Sequence, residues 1–183
     1  MGIPVFVIAL VVLALFVIGL YNGLVARRNR VKTGWAQVDV QLKRRHDLIP
    51  NLVETAKGYM AHERATLEAV VAARQQAVNV SGVADAARAE NQLTQTLRSL
   101  FAVAESYPDL KANTNMLALQ EELTSTENKI AFARQNYNDE VNGYNTAIEQ
   151  FPGSFIANSF GFQPSEFFQV EDPAEREAPQ VKF

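Results

Sequence analysis

The chain of 183 residues contains no cysteine, and its first 26 residues carry no charged side chain. The first absence removes disulfide stapling and thiolate chemistry; it fits a reducing compartment without establishing one. The second absence says more. Residues 3–20, IPVFVIALVVLALFVIGL, are unbroken apolar apart from Pro4 and Gly19. A Lys or Arg at the centre of a bilayer costs roughly 3 kcal/mol, whereas each Leu, Ile, Val or Phe gains a few tenths. About 20 such residues in a helix cross a hydrocarbon core of ~30 Å. The stretch therefore reads as a membrane-spanning helix over residues 1–26. A cleaved secretory signal would carry a basic start, a shorter apolar run and a small-residue cleavage site, and none of these is present. A buried core helix of this length would need a larger domain around it.

Other shortages exclude further classes. There are only two histidines, His46 and His62. Neither has a Glu three residues before it, so the Glu-x-x-His pairs of a di-iron bundle are missing. No Gly-rich loop suits a phosphate, and no serine sits in a recognisable nucleophile elbow. The reading is therefore of a chain with no catalytic, cofactor-binding or metal-ligating residues. Asn79-Val80-Ser81 is formally a glycosylation acceptor, but beside Gly82 it reads as a turn.

Charge is unevenly distributed behind a net value of -3. Residues 27–45 hold seven basic side chains and one acid, while residues 46–183 hold ten basic side chains and nineteen acids. Arg27, Arg28, Arg30 and Lys32 flank the apolar run only on its C-terminal side. The positive-inside bias thus places the N-terminus outside and the body in the cytoplasm. These residues either fix topology alone or also meet anionic headgroups, at about 1 kcal/mol each. The acidic remainder argues against nucleic-acid binding.

Beyond the span, the periodicity predicts helix almost throughout. A first segment over 31–78 carries Trp35, Val38, Leu42, Ile49, Leu52, Ala56, Tyr59, Val70 and Ala77 on one face. Pro50 predicts a kink near 45–50 rather than a break, because the apolar phase continues through it. A second helix over 83–107 carries Leu93, Leu97, Leu100, Phe101 and Ala104, and Pro108 ends it. Asp109 or residues 113–115 can cap a third helix over 116–151. That helix repeats Met116, Leu123, Ile130, Tyr137, Tyr144 and Phe151 every seven residues, the pattern of a helix packed lengthwise in a bundle or coiled coil. Pro152-Gly153 stops it. Residues 154–168 hold five phenylalanines, too dense for a solvated tail, so they should pack back as short helical pieces. Residues 171–183 read as an extended tail.

These residues resemble a known family. The span is followed by Tyr21-Asn22 and the basic stretch, then by Trp35, QLKRRHDLIPNLV at 41–53 and ERATLEAVVAAR at 63–74. ENKIAFARQNYN at 127–138, VNGYN at 141–145 and the closing EAPQVKF complete the likeness. The chain is similar to the bacterial LemA family across its length. The resemblance implies an antiparallel helical domain, residues 27–170, on a single anchor in an inner or cell membrane. It carries over no enzymatic reaction. Some relatives are associated with membrane-compartment formation, magnetosome vesicles among them, which points to a structural role.

Five polar residues stand out: Arg45, Asp47, Arg74, Glu127 and Arg134. Glu127 and Arg134 fall in the otherwise apolar stripe of the third helix, where a lone charge is costly and needs a partner on a facing helix. Glu127 would pair with Arg74 or Arg45, and Asp47 with Arg134, as a register-setting network inside the bundle. Phe155, Phe160, Phe162, Phe167 and Phe168 either cap the open end of the bundle or offer a surface to identical neighbours. The sequence thus predicts an all-α, non-enzymatic scaffold at the bilayer that self-associates. The runner-up is a regulatory accessory subunit of a membrane protease or signalling enzyme.

Overall fold

The computed structural model describes residues 2–169, and those residues form helices and connecting segments with no strand among them. The helices are α1 (Gly2–Lys57), α2 (Arg64–Asn79), α3 (Val83–Ala104), α4 (Pro108–Lys111), α5 (Thr114–Glu149) and α6 (Gly153–Phe160). The protein is all-α. The tail expected over 171–183 lies outside the described residues.

The apolar N-terminal stretch and the basic cluster belong to one helix, α1, which reaches Lys57 with Pro50 inside it. The single kinked segment expected over 31–78 is instead two helices. Gly58 follows the last turn of α1, and the amides of Tyr59 and Met60 fold back on the Ala56 carbonyl at 3.0 and 2.9 Å. Proline removes one hydrogen bond from a helix whose buried face continues on both sides of it. Glycine gives up about 1 kcal/mol of helix propensity at the point where that face ends. Pro108 also acts differently from expectation: α3 stops at Ala104, and Pro108 opens α4, where its missing N–H costs nothing.

Two sevenfold stripes organise the long helices. On α1, Leu24, Val31, Val38, Arg45 and Leu52 are all buried, one every seven residues. On α5, Met116, Leu123, Ile130, Tyr137 and Tyr144 are the matching set. Phe151, expected as its sixth member, is 87% exposed, because α5 has already ended at Glu149. The second inward position on α5 shifts along the helix. Thr126 and Ala133 fill it early and Val141 and Ile148 later, as a 3.6-residue turn drifts against a seven-residue repeat. Glu127 and Arg134, expected in that stripe, fall beside it: Glu127 is exposed and Arg134 half-buried.

The chain divides into two compact units. The first comprises residues 2–38 and Ala133–Phe167. In it α1 and α5 run antiparallel: Arg27 Nη1 donates to the Gly143 carbonyl at 3.3 Å, Arg30 Nε to Glu140 Oε2 at 3.1 Å, and Asn136 Nδ2 to Gln37 Oε1 at 3.2 Å. Gly34 permits their close approach, since a Cβ there would lie 3.3 Å from Tyr137 Cα. The Trp35 ring meets Tyr137 edge-on at 5.5 Å. After α6 the chain returns along α5. Tyr144 Oη donates to the Gln163 carbonyl at 2.9 Å, Asn145 exchanges two hydrogen bonds with Ser165, and Tyr137 Oη donates to the Glu166 carbonyl at 2.8 Å. Side chains of α5 thus satisfy backbone groups that no regular structure serves.

The second unit comprises Asp39–Phe132 and residues 168–169. Here α2 and α3 pack on each other, and the unit buries one apolar cluster that includes Ile49, Leu52, Met60, Val70, Leu93, Leu100 and Leu110. Asn113 caps α5: its Oδ1 accepts from the amides of Asn115 and Met116 at 2.9 and 3.0 Å, two of the donors a helix start leaves unpaired.

Candidate functional site

The second unit contains a polar cluster built on Arg45. This residue takes a place in the apolar stripe of α1 and is 4% exposed. A guanidinium there must be paired or it destabilises the fold by several kcal/mol. Its Nη1 lies 3.2 Å from Glu90 Oε2, and its Nη2 donates to Thr94 Oγ1 at 2.7 Å, both on α3. The other oxygen of Glu90 meets His46 Nε2 at 2.5 Å, and Thr94 Oγ1 itself donates back to the Glu90 carbonyl at 3.0 Å. Glu90 is buried as completely as Arg45, so each charge is held by fixed partners rather than by water.

Of the five residues expected to form the network, the structure joins two: Arg45 Nη1 lies 3.4 Å from Glu127 Oε2. The Glu127 side chain is 50% exposed, so it closes the rim of the cluster rather than its interior. Arg74 reaches the cluster by another route, donating from Nε to the backbone carbonyl of His46 at 2.7 Å. Asp47 is exposed in this unit, and Arg134 is half-buried in the other. Sequence reasoning missed Glu90 and Thr94. The signal for Glu90 was available: it stands in phase with Leu93, Leu97, Leu100 and Ala104, all on the buried face of α3.

A small open cavity of about 200 Å³ adjoins the cluster, lined by Arg45, Thr94, Arg98, Phe101, Leu123 and Glu127 among others. Both Glu90 oxygens are engaged, and the Thr94 hydroxyl donates to the Glu90 carbonyl. The arrangement can hold helix register. Among the described residues no three His, Cys, Asp or Glu side chains converge. His46 is committed to Glu90, and His62 is exposed.

The first unit contains the second candidate site, at the end of the apolar stretch. Three of the four flanking basic residues are engaged there. Arg27 and Arg30 bond across to α5, Arg28 stacks its guanidinium over the Phe162 ring at 5.1 Å, and Lys32 is exposed. The Tyr21 ring contacts Phe160 at 5.0 Å and Phe162 at 5.6 Å. Of the phenylalanines expected as an interface, Phe162 and Phe168 are buried, at 7% and 3% exposure, and are not available to a neighbour. Phe155 and Phe160 are exposed, and Phe167 is at the margin of exposure.

The described residues hold one helix long and apolar enough to cross a membrane. Magnetosome protein MamQ 2 of Paramagnetospirillum magneticum is 24% identical over 180 residues, covering 84% of this chain and 66% of the relative. Magnetosome protein MamQ of Magnetospirillum gryphiswaldense is 23% identical with the same coverage of 84% and 66%. Protein LemA of Metamycoplasma hominis is 23% identical over 156 residues, covering 85% of this chain and 71% of that protein. The chain thus spans just under two thirds of the length of the magnetosome relatives. The LemA family profile matches residues 34–183, which include the polar cluster, the α5 stripe and the phenylalanine-rich return. A membrane-associated, all-helical protein matched over that extent belongs to the LemA family.

Proposed function

We propose that the protein is a non-enzymatic scaffold, held by α1 in a bacterial inner membrane with its body in the cytoplasm, and that it self-associates there. The observation that carries this reading is the continuity of α1 from the apolar stretch to Lys57. A helix that runs on from the span leaves little linker after it, and copies confined to one membrane meet at high local concentration. The second unit leaves large apolar side chains outward on its long helices, Phe132 at 76% and Val40 at 61% exposure, and these offer a lateral contact. The likeness to proteins named for the magnetosome supports a structural role over a chemical one.

Two measurements on the full-length chain test the reading. Mass in mild detergent should exceed that of one copy, and a Phe132→Cys variant, unique in a chain with no cysteine, should form disulfide-linked dimers in native membranes. A monomer by both criteria overturns self-association; a monomer that co-purifies with another membrane protein points to the accessory-subunit role. Orientation is tested separately. A C-terminal reporter protected in intact cells and digested after permeabilisation is expected, and digestion in intact cells reverses the topology.

A further inference from the structure

The apolar residues of α1 from Pro4 to Leu20 rise about 26 Å at roughly 1.5 Å per residue, close to the thickness of a hydrocarbon core. Tyr21 follows at once, at the level where tyrosine rings favour the headgroup boundary. The bonds from Arg27 to Gly143 and from Arg30 to Glu140 show that three steps up α1 match three steps back along α5. Glu149, six residues past Gly143, therefore falls level with Tyr21, six residues before Arg27. The C-terminal end of α5 thus reaches the plane in which the apolar stretch of α1 ends, and α6 begins four residues later.

Contacts within the unit hold α6 at that level. The Tyr21 ring packs on Phe160, the last residue of α6, at 5.0 Å and on Phe162 at 5.6 Å. Gly161, at φ +71°, turns the chain, and the Phe162 amide donates to the Ala157 carbonyl at 2.9 Å. Phe162 then lies under the Arg28 guanidinium. One face of α6 is satisfied, with Ile156 and Ala157 buried. Phe155, turned away from them, is 71% exposed, and at the two ends of the helix Phe160 is 59% and Phe151 87% exposed. Three phenylalanines exposed on a soluble surface would each forgo the gain of taking an aromatic ring out of water.

We propose that α6 is a second membrane contact. It lies at the bilayer surface beside the span, and the exposed rings of Phe151, Phe155 and Phe160 enter the boundary between headgroups and acyl chains, the depth at which interfacial segments bury apolar side chains. The occupant is lipid, because Tyr21 ties the patch to the edge of the apolar helix. The inference rests on the membrane-spanning role of α1 proposed above. With two points of contact, the span would be fixed against rotation about its own axis.

The test uses the full-length chain in vesicles of phosphatidylethanolamine and phosphatidylglycerol, with a nitroxide on a single introduced cysteine. Positions are Phe155→Cys on α6, Leu10→Cys in the span and Ser99→Cys on α3, each checked for unchanged helical content. Collision with oxygen relative to a water-soluble nickel complex reports immersion. The expected ratio at position 155 is several-fold above that at 99 and below that at 10. A ratio at 155 equal to that at 99, with position 10 immersed, overturns the lipid contact and leaves the span intact. Spin–spin broadening at 155 without immersion assigns the patch to a second copy and also overturns it. An aqueous ratio at position 10 removes the span itself, and the inference with it.

Discussion

The guanidinium of Arg74 donates from Nε to the backbone carbonyl of His46 at 2.7 Å. That carbonyl is four residues before Pro50, so it is the acceptor that the missing proline N–H leaves open in α1. A side chain from α2 thus repairs a helix defect in α1, and α1 carries its buried face through the proline. Arg74 should therefore matter only while Pro50 is present. Arg74→Met is expected to cost about 2 kcal/mol in the natural chain, the range for a hydrogen bond to a charged group. In a Pro50→Ala background, where the amide bonds the carbonyl directly, the cost should be much smaller. Thermal unfolding of the four proteins in detergent measures the coupling, and additive effects would refute the repair.

Glu90 and Glu127 both reach Arg45, and burial separates their worth. Glu90→Ala strands Arg45 and leaves His46 Nε2 without its partner, and should cost about 3–5 kcal/mol. Glu127, half-exposed, should cost under about 1 kcal/mol as alanine, like other solvated pairs. Equal losses in melting temperature would contradict this ranking.

Thr126 is fully buried, and its Oγ1 finds no hydrogen-bond partner among the described residues. A buried hydroxyl without a partner costs about 1–3 kcal/mol. Thr126→Val keeps the branched shape without the polar atom, so the variant should melt a few degrees higher. A lower melting temperature would show that the hydroxyl is served by a partner such as ordered water.

Burial pushes the hydroxyls of Tyr137 and Tyr144 above the ordinary tyrosine value of 10.0; the Glu166 charge adds to the rise at Tyr137, and Arg28 opposes it at Tyr144. A raised folded-state pKa favours the protonated, neutral form in the native protein. The contribution is therefore complete below the unfolded value and is lost as pH rises through the folded ones. Stability should hold towards pH 10 and fall above it. Tyr144→Phe should flatten that fall, and an unchanged alkaline profile would exclude Tyr144 as a source.

Adjacent phenylalanines should answer differently to truncation. Phe168→Ala removes a buried ring and should cost about 3–5 kcal/mol. Phe167→Ala, at 37% exposure, should stay within about 1 kcal/mol. Unfolding of each single variant distinguishes them, and a double variant would confound lost stability with lost association.

The helices were legible because periodicity reports burial. Every member of the α5 stripe up to Tyr144 is inward, and so are Leu93, Leu97, Leu100 and Ala104 on α3. The breaks were less legible. Pro50 reads as the interruption, yet Gly58 marks the end of α1, since a proline's lost bond can be made good by a side chain from elsewhere.

Local chemistry determined the apolar stretch, the sevenfold stripes, the Asn113 cap and the turn at Gly82, because each depends on residues a few positions apart. Only the tertiary structure decided which polar groups meet. Glu90 lies 45 positions from Arg45, and Arg74 lies 28 positions from the carbonyl it serves. The same holds for the phenylalanines: alike in sequence, Phe162 and Phe168 are buried while Phe155 and Phe160 are outward. Hydrophobicity says that a ring gains by leaving water, but only the packed chain supplies the place for it to go.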